Sequence, residues 1–417
     1  MAENKINKAQ SIIALIILAC MAIFSFYINN NTLTLFLFTG IVLGYILTRS
    51  RFGFAGGVKR IYITGEGSLN RALFIMFAIS IILVAGIQWA AASKGVAIPG
   101  TSSVKMLNIS TILGGFLFGI GMILAGGCAS GTLSDLGEGA MRALIALIFF
   151  IFGSIPGAVM QGVINNTAIG KIGATVYLPD ILGYIGAVIV SLLLLFILYV
   201  IVKKYEEFRK KEGFYEETVY EPIELPITST KNYNSSYKIY HKLFIQRWSF
   251  LTGGILLAIM FVFIIQSTGH SWGVTSAFTN WGVAFLQMFG VEFTSPALAS
   301  AVKAANNGLI NDAGSLRNVG IIIGAAVAFL LAGRFKFDFD FRLKDIVYYA
   351  IGGALMGFGA RVAGGCNIGA LFSGIGNFSL SGWGFLVALV LGAIAALKLF
   401  AGKVNIIPED RHKQKVA

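Results

Sequence analysis

Ten apolar runs, each near the length of a membrane crossing, constrain this chain more than anything else in it: 11–28, 32–49, 72–90, 109–125, 140–161, 180–202, 248–266, 316–334, 345–363 and 380–400. A helix needs about 20 apolar residues to cross a ~30 Å hydrocarbon core. Backbone groups cannot stay unpaired there, so runs of this kind predict transmembrane helices and an all-α polytopic protein. Composition agrees, with 56% hydrophobic and 12% charged residues over 417 and a mean hydropathy of +0.80, where a soluble chain carries about 25% charged residues. A large soluble enzyme is excluded, and 7 Pro and 3 Cys exclude collagenous and disulfide-stapled chains. A net charge of +13 would suggest nucleic acid in a soluble protein. Here the basic residues lie between apolar runs and read as an orientation signal, so the expected partner is the lipid bilayer and no nucleic acid. The first run could pass for a lipoprotein signal ending at Cys20, but nine more runs follow and Leu18 fits that pattern poorly. It reads as a membrane anchor.

Two further apolar stretches, 52–66 and 272–300, are broken by Gly, Thr and Ser and predict re-entrant or half-helical segments lining a cavity. With the N-terminus placed in the cytoplasm, 25 of the 32 Lys and Arg fall inside and five fall outside: Lys94, Lys105, Lys171, Lys303 and Arg317. Arg361 and Lys398 lie within spans. This bias predicts a multi-pass protein of the cytoplasmic (inner) membrane with both termini in the cytoplasm. The one long polar stretch, 203–247, holds nine Lys/Arg, seven Glu, Pro222, Pro226 and an Asn/Ser patch at 232–236. It reads as a cytoplasmic linker, either a solvated connection or a docking site for a soluble partner.

Self-comparison gives the sharpest signal. Gly114 to Gly131 matches Gly352 to Gly369 at 10 of 18 positions without a gap, and Gly67 to Gly86 matches Gly314 to Gly333 at 8 of 20. Phe52-Gly53 aligns with Trp272-Gly273, in the same order. The expected organisation is a cytoplasmic N-terminus with an extra first span (1–31), repeat one (32–162), a connecting span (163–202), the linker (203–247), repeat two (248–401) and a cytoplasmic tail (402–417). One span joins the four-span halves, so the second enters the membrane in the opposite sense. Inverted repeats with discontinuous helices are transporter architecture, with the site at the midplane where the halves meet.

In both repeats a Gly-rich helix runs into Gly-Gly-Cys: Gly126-Gly127-Cys128 and Gly364-Gly365-Cys366. Paired glycines tolerate a chain break, and a half-helix starting after each Cys would point free N–H groups at an anion beside the thiol. Ser130 and Asn367 can add donors. Cys128 and Cys366 are therefore candidate substrate-binding residues with Gly127, Gly365, Ser130 and Asn367, whereas Cys20, outside the repeats, reads as a small hydrophobe. A zinc site takes about four ligands, and His241, His270 and His412 do not cluster near either Cys, so neither metal nor cofactor is expected. Arg361 lies three residues before Gly364 in an apolar span where the first repeat has Ile123. An intramembrane Arg marks a functional site by default, here attraction of an anion; the alternative is snorkelling to the outer interface. Lys303, beside Asn306 and Asn307, is a comparable outer candidate.

At these residues the chain resembles the YeeE/YedE family of bacterial membrane proteins, transporters of thiosulfate and related sulfur compounds. The resemblance rests on the two Gly-Gly-Cys motifs, on Ser50-Arg-Phe-Gly-Phe-Ala-Gly56 and on Gly314-Ser-Leu-Arg-Asn-Val-Gly320, and covers roughly residues 32–400. It implies a permease rather than an enzyme, one that imports a small sulfur-containing anion between thiols acting as weak donors, with Cys128 and Cys366 in those places. The family's Arg-Phe-Cys-Phe is here Arg51-Phe52-Gly53-Phe54. One of three thiols is missing, so either two suffice or the substrate is a different sulfur or selenium compound. Family members often work beside a TusA-type sulfur-carrier protein, for which the basic linker is the docking candidate. A membrane thiol enzyme is the rival reading, with Asp135 or Glu138 as its acid or base; a scaffold for sulfur carriers would not need Gly-Gly-Cys twice.

Overall fold

A computed structural model describes residues 7–217, 220–227 and 235–409. Lys5, residues 232–234 of the Asn/Ser patch, and Arg411, His412, Lys413 and Lys415 lie outside the described residues. The helices are α1 (Lys8–Ile28), α2 (Asn31–Ser50), α3 (Phe54–Ile63), α4 (Ser68–Ser93), α5 (Ile109–Ala125), α6 (Ala129–Gly137), α7 (Met141–Asn166) and α8 (Leu178–Lys211). They continue with α9 (Ser235–Tyr240), α10 (Phe250–Thr268), α11 (Thr275–Gln287), α12 (Ala299–Asn306), α13 (Ala313–Leu331), α14 (Leu343–Val362), α15 (Ser373–Gly376) and α16 (Leu380–Leu399). A π-helical turn, Asn367–Phe372, leads into α15. An antiparallel ribbon pairs β1 (Met106–Asn108) with β2 (Gly173–Thr175).

Ten of the described segments are long and apolar enough to cross a membrane, and each overlaps one expected run. The protein is an all-α polytopic membrane protein. Helix starts are fixed by polar caps: the Asn30, Asn108 and Asp312 side chains accept backbone N–H bonds from Thr32 and Leu33, from Thr111 and from Ser315. The largest boundary difference is α8, expected to end at 202. Its charged last turns still pack, because Glu206 pairs with Arg71 and Lys210, while buried Arg209 donates to the Tyr62 and Ile63 carbonyls. The two broken stretches hold only short helices, α3 in one and α11 with the start of α12 in the other.

The connections gather alternately at two ends. At one end, Glu224 of the linker pairs with Arg51 after α2 and with Arg334 after α13, and Met141 N–H donates to Asp338 O. At the other, Gly100 N–H donates to Gly269 O, Leu178 N–H to Phe378 O, and Asn108 Nδ2 to Gly170 O.

Packing makes the inversion visible. A Cβ built on Gly114 would stand 2.5 Å from Gly359 O, one on Gly359 2.6 Å from Gly114 O, and one on Gly121 2.6 Å from Gly352 O. Gly114 is the sequence equivalent of Gly352, and Gly121 of Gly359, so α5 and α14 cross antiparallel and exchanging equivalents leaves the contacts unchanged. The two-fold axis lies across the helices, which inverts one half against the other. Other contacts come in swapped pairs: α2 on α13 and α10 on α4, α7 on α14 and α16 on α5, α11 on α7 and α3 on α16. The swap extends to α1 on α13 and α8 on α4. Glycine carries these contacts because close backbone approach is what packs helices where lipid supplies no hydrophobic drive.

Candidate functional site

The breaks expected at Gly-Gly-Cys are present. Gly126 and Gly364 take left-handed conformations, with φ of 81° and 75°, that end α5 and α14. Cys128 then caps α6 and Cys366 caps the π-turn, so a new helical segment starts directly after each thiol. The thiols are 1% and 0% exposed and lie within electrostatic reach of one another. Cys128 Sγ is 3.4 Å from Ser130 Oγ, and Cys366 Sγ accepts from Ile368 N–H at 3.4 Å. Asn367 Nδ2 reaches across the halves to Met122 Sδ at 3.6 Å, while its Oδ1 is buried without a partner. The expected set thus comes together around the α5–α14 crossing, with Gly127 and Gly365 at the breaks.

Around the thiols the chain leaves room. Gly53, Gly131, Gly273 and Gly369 are each partly accessible although both sequence neighbours of each are buried. A Cβ on Gly53, Gly273 or Gly369 would meet nothing within 4 Å, and one on Gly131 only Cys128 Sγ, at 3.7 Å. These are two repeat-related pairs. Three of them, Gly53, Gly273 and Gly369, converge because Phe372, on the same π-turn as Gly369, packs against Phe54, next to Gly53, and Trp272, next to Gly273, with ring centroids 6.1 and 6.4 Å apart. Ser373 Oγ donates to Trp272 O at 2.7 Å, pinning the contact. Sequence alone could not separate these lining glycines from packing ones such as Gly121.

The two ends of this region differ in charge. Beyond Cys128, Arg142 donates to Ala125 O at 3.5 Å and pairs with Asp135 at 2.6 Å, while Arg51 pairs with Glu138 at 2.6 Å and with Glu224 at 3.3 Å. Burial pushes the Glu138 carboxyl up to about 7 against the opposing pull of Arg51. Before Cys366, Lys105 Nζ donates to Gly364 O, and Arg361 lies one turn earlier with its Nε buried and unpartnered. Burial, then the neighbouring Arg361, push the Lys105 ammonium down to about 8.

Some expectations need correcting. Arg317, counted as an outer loop charge, is 2% exposed inside α13, with its guanidinium 3.9 Å from the Phe36 ring centroid; the charge tally placed it one turn too early. Lys105, also counted as a loop charge, is turned inward by the β1–β2 ribbon. Lys303, Asn306 and Asn307 are exposed along α12. The linker is not uniformly solvated: Glu224 is 7% exposed, and His241 Nε2 lies 2.9 Å from Ile223 O.

Inverted halves and helices broken at buried thiols, inside an apolar bundle, are the architecture of a membrane transporter. A model of the sulphur transport family matches residues 49–395, and the chain belongs to that family, the one its Gly-Gly-Cys motifs resemble. It is similar to the thiosulfate transporter TsuA of Escherichia coli (strain K12), 26% identical over 378 residues, covering 86% of this chain and 92% of that protein. TsuA of Spirochaeta thermophila is 26% identical over 376 residues, covering 85% and 95%. The probable transporter YedE of Escherichia coli is 33% identical over 168 residues, 40% of each chain. This chain is accordingly a transporter of sulfur compounds, not an enzyme.

Proposed function

We propose that this protein imports thiosulfate, or a closely related sulfur or selenium anion, along a path that passes Cys366 and then Cys128. The observation that carries this is the pairing of both buried thiols with four repeat-related glycines, three of which face open space while the fourth, Gly131, faces the Cys128 sulfur. A protonated thiol is a weak donor, and the backbone N–H groups at the start of each following segment favour an anion. Soft sulfur–sulfur contact suits an anion with a terminal sulfur better than sulfate. The similarity to thiosulfate transporters along nearly the whole chain supports the same substrate class.

The charge bias supports a cytoplasmic membrane location with both termini and the linker in the cytoplasm, which makes the Cys366 end the outer one. A TusA-type carrier would then meet the anion near Glu224 and Arg334, where the linker is tied to the bundle. At Gly53 the family's third thiol is replaced by free space, so two thiols serve here.

The test is uptake of labelled thiosulfate, sulfite, sulfate and selenite into proteoliposomes by the full chain. Thiosulfate should be taken up and sulfate should not. Cys128→Ala and Cys366→Ala should each lower uptake about tenfold or more, the size of loss expected when a transition-state contact is removed, while Cys20→Ala, on the exposed side of α1, stays near wild type. Equal uptake by all three variants would remove the thiols from the path.

A further inference from the structure

Two cations stand at the Cys366 end with no acid to balance them. Among the described residues, the one charged neighbour of Lys105 is Arg361, beside the neutral Cys366 thiol, and no charged partner offsets the burial of Arg361. Holding two like charges in a low-dielectric wall costs free energy unless an anion joins them. The equivalent break at Gly126 shows the alternative, since Arg142 there caps the Ala125 carbonyl and is neutralised by Asp135 within its own half. Both breaks use a basic side chain to hold a carbonyl at the turn, Ala125 O at the end of α5 and Gly364 O just past α14, but only one brings its own counter-charge.

The third donor comes from α7. A Cβ on Gly364 would lie 3.1 Å from Lys105 Nζ and 3.1 Å from Gln161 Nε2, so ammonium and amide flank one point of the backbone two residues before Cys366. A Cβ on Gly157, one turn before Gln161, would lie 3.1 Å from Arg361 Cβ, which puts the Arg361 stem on the α7 face that carries Gln161. Arg361, Gly364 and Lys105 all remain partly accessible. The Lys105 ammonium and the Arg361 guanidinium, with its unused N–H, are donors only, the Gln161 amide presents its NH2 on the same side, and together these donors match a tetrahedral oxyanion.

We propose that Lys105, Arg361 and Gln161 form an oxyanion-binding site that receives the sulfonate end of the anion while its terminal sulfur faces Cys366. This rests on the reading of Cys366 as the first thiol of the path. The site recognises oxygen and charge only, so it takes sulfate as well as thiosulfate. Discrimination falls to the thiols beyond it, and sulfate is a competitor that binds without crossing.

Equilibrium binding of [35S]thiosulfate to the purified full-length protein, displaced by unlabelled sulfate, tests this apart from transport. Sulfate should displace thiosulfate competitively. Lys105→Met should weaken binding of both anions about tenfold or more, the loss expected when one buried charge partner is removed, and Lys105→Arg should stay within about threefold of wild type. Gln161→Leu provides a second reading from α7 should the Lys105 variant prove unfolded by size exclusion. Wild-type affinity in folded Lys105→Met or Gln161→Leu, or failure of excess sulfate to displace thiosulfate, overturns the site. Lys105-dependent binding without uptake in proteoliposomes would instead overturn the transport reading and leave the site standing.

Discussion

At Gly126 and at Gly364 the chain performs the same manoeuvre: a glycine-rich helix stops in a left-handed turn, a basic side chain takes a carbonyl at that turn, and a cysteine starts the next segment. The surroundings then diverge. Arg142 and Arg51 are matched by Asp135, Glu138 and Glu224, whereas Lys105 and Arg361 have no carboxylate beside them among the described residues. A two-fold arrangement of backbone thus carries a one-sided distribution of charge. On the import path proposed above, an anion would be drawn to one mouth and would meet cations already paired at the other, a built-in difference between capture and release.

The comparison breaks hardest at the glycines. Gly121→Val would drive a side chain into the Gly352 backbone, where even a Cβ stands 2.6 Å from the carbonyl oxygen. Overpacking costs about 1–3 kcal/mol when neighbours can yield, and backbone cannot, so folded protein in the membrane should fall sharply on an immunoblot. Gly369→Val places its Cβ in open space. It should keep wild-type abundance and lose nearly all uptake; normal uptake would show that the space beside Cys366 is not on the path.

Charge comes next. Arg361→Leu should reduce uptake severely at unchanged abundance, and Arg361→Lys should raise KM only modestly, because a point charge keeps the attraction and loses the planar fork. Snorkelling predicts that both behave like wild type. A smaller effect follows from Lys105, whose ammonium sits at about 8, well below the ordinary lysine value. Its charge is present below that pH and is lost as pH rises through it, so KM for the anion should climb severalfold between about pH 7 and 9.5. The other charged group facing it is Arg361. Lys105→Arg should flatten the profile, and a wild-type profile already flat would show that Lys105 does not meet the anion. Smallest is Gly53→Cys, whose Cβ meets no atom. Thiosulfate uptake should stay within about twofold of wild type or rise, in line with one weak thiol donor; complete loss would mean that the space itself admits a bulkier substrate.

Much of this could be read from the residues because the bilayer leaves few solutions. Ten runs became ten crossing segments, and the two broken stretches became short helices, since nothing but helix satisfies a backbone in lipid. The inversion was legible because the antiparallel α5–α14 crossing needs glycine on both sides, which preserved the Gly114–Gly131 and Gly352–Gly369 match. What stayed hidden depends on tertiary position. Arg317 lies one turn inside a helix whose first residues look like loop, and its burial comes from the Phe36 ring of α2. Lys105 is brought to Gly364 by a three-residue ribbon with no periodicity to betray it. Gly121 and Gly369 are identical letters in the same motif, one pressed against backbone and the other against space.

The swapped contacts also set an order of events at the ribosome. α2 lies on α13 through Gly40, Gly44, Gly320 and Gly324, and α7 lies on α14 through Gly153, Gly157, Gly353 and Gly357, so the glycine faces of the early helices have their partners near the end of the chain. After α7 has been inserted, those faces must wait among lipids while some 150 residues are still to be made, about ten seconds or more at ordinary synthesis speeds. Membrane insertion and assembly are therefore separate stages for this protein. A chain truncated before α13 would be threaded through the bilayer and yet leave the glycine faces of α2 and α7 with nothing to close upon.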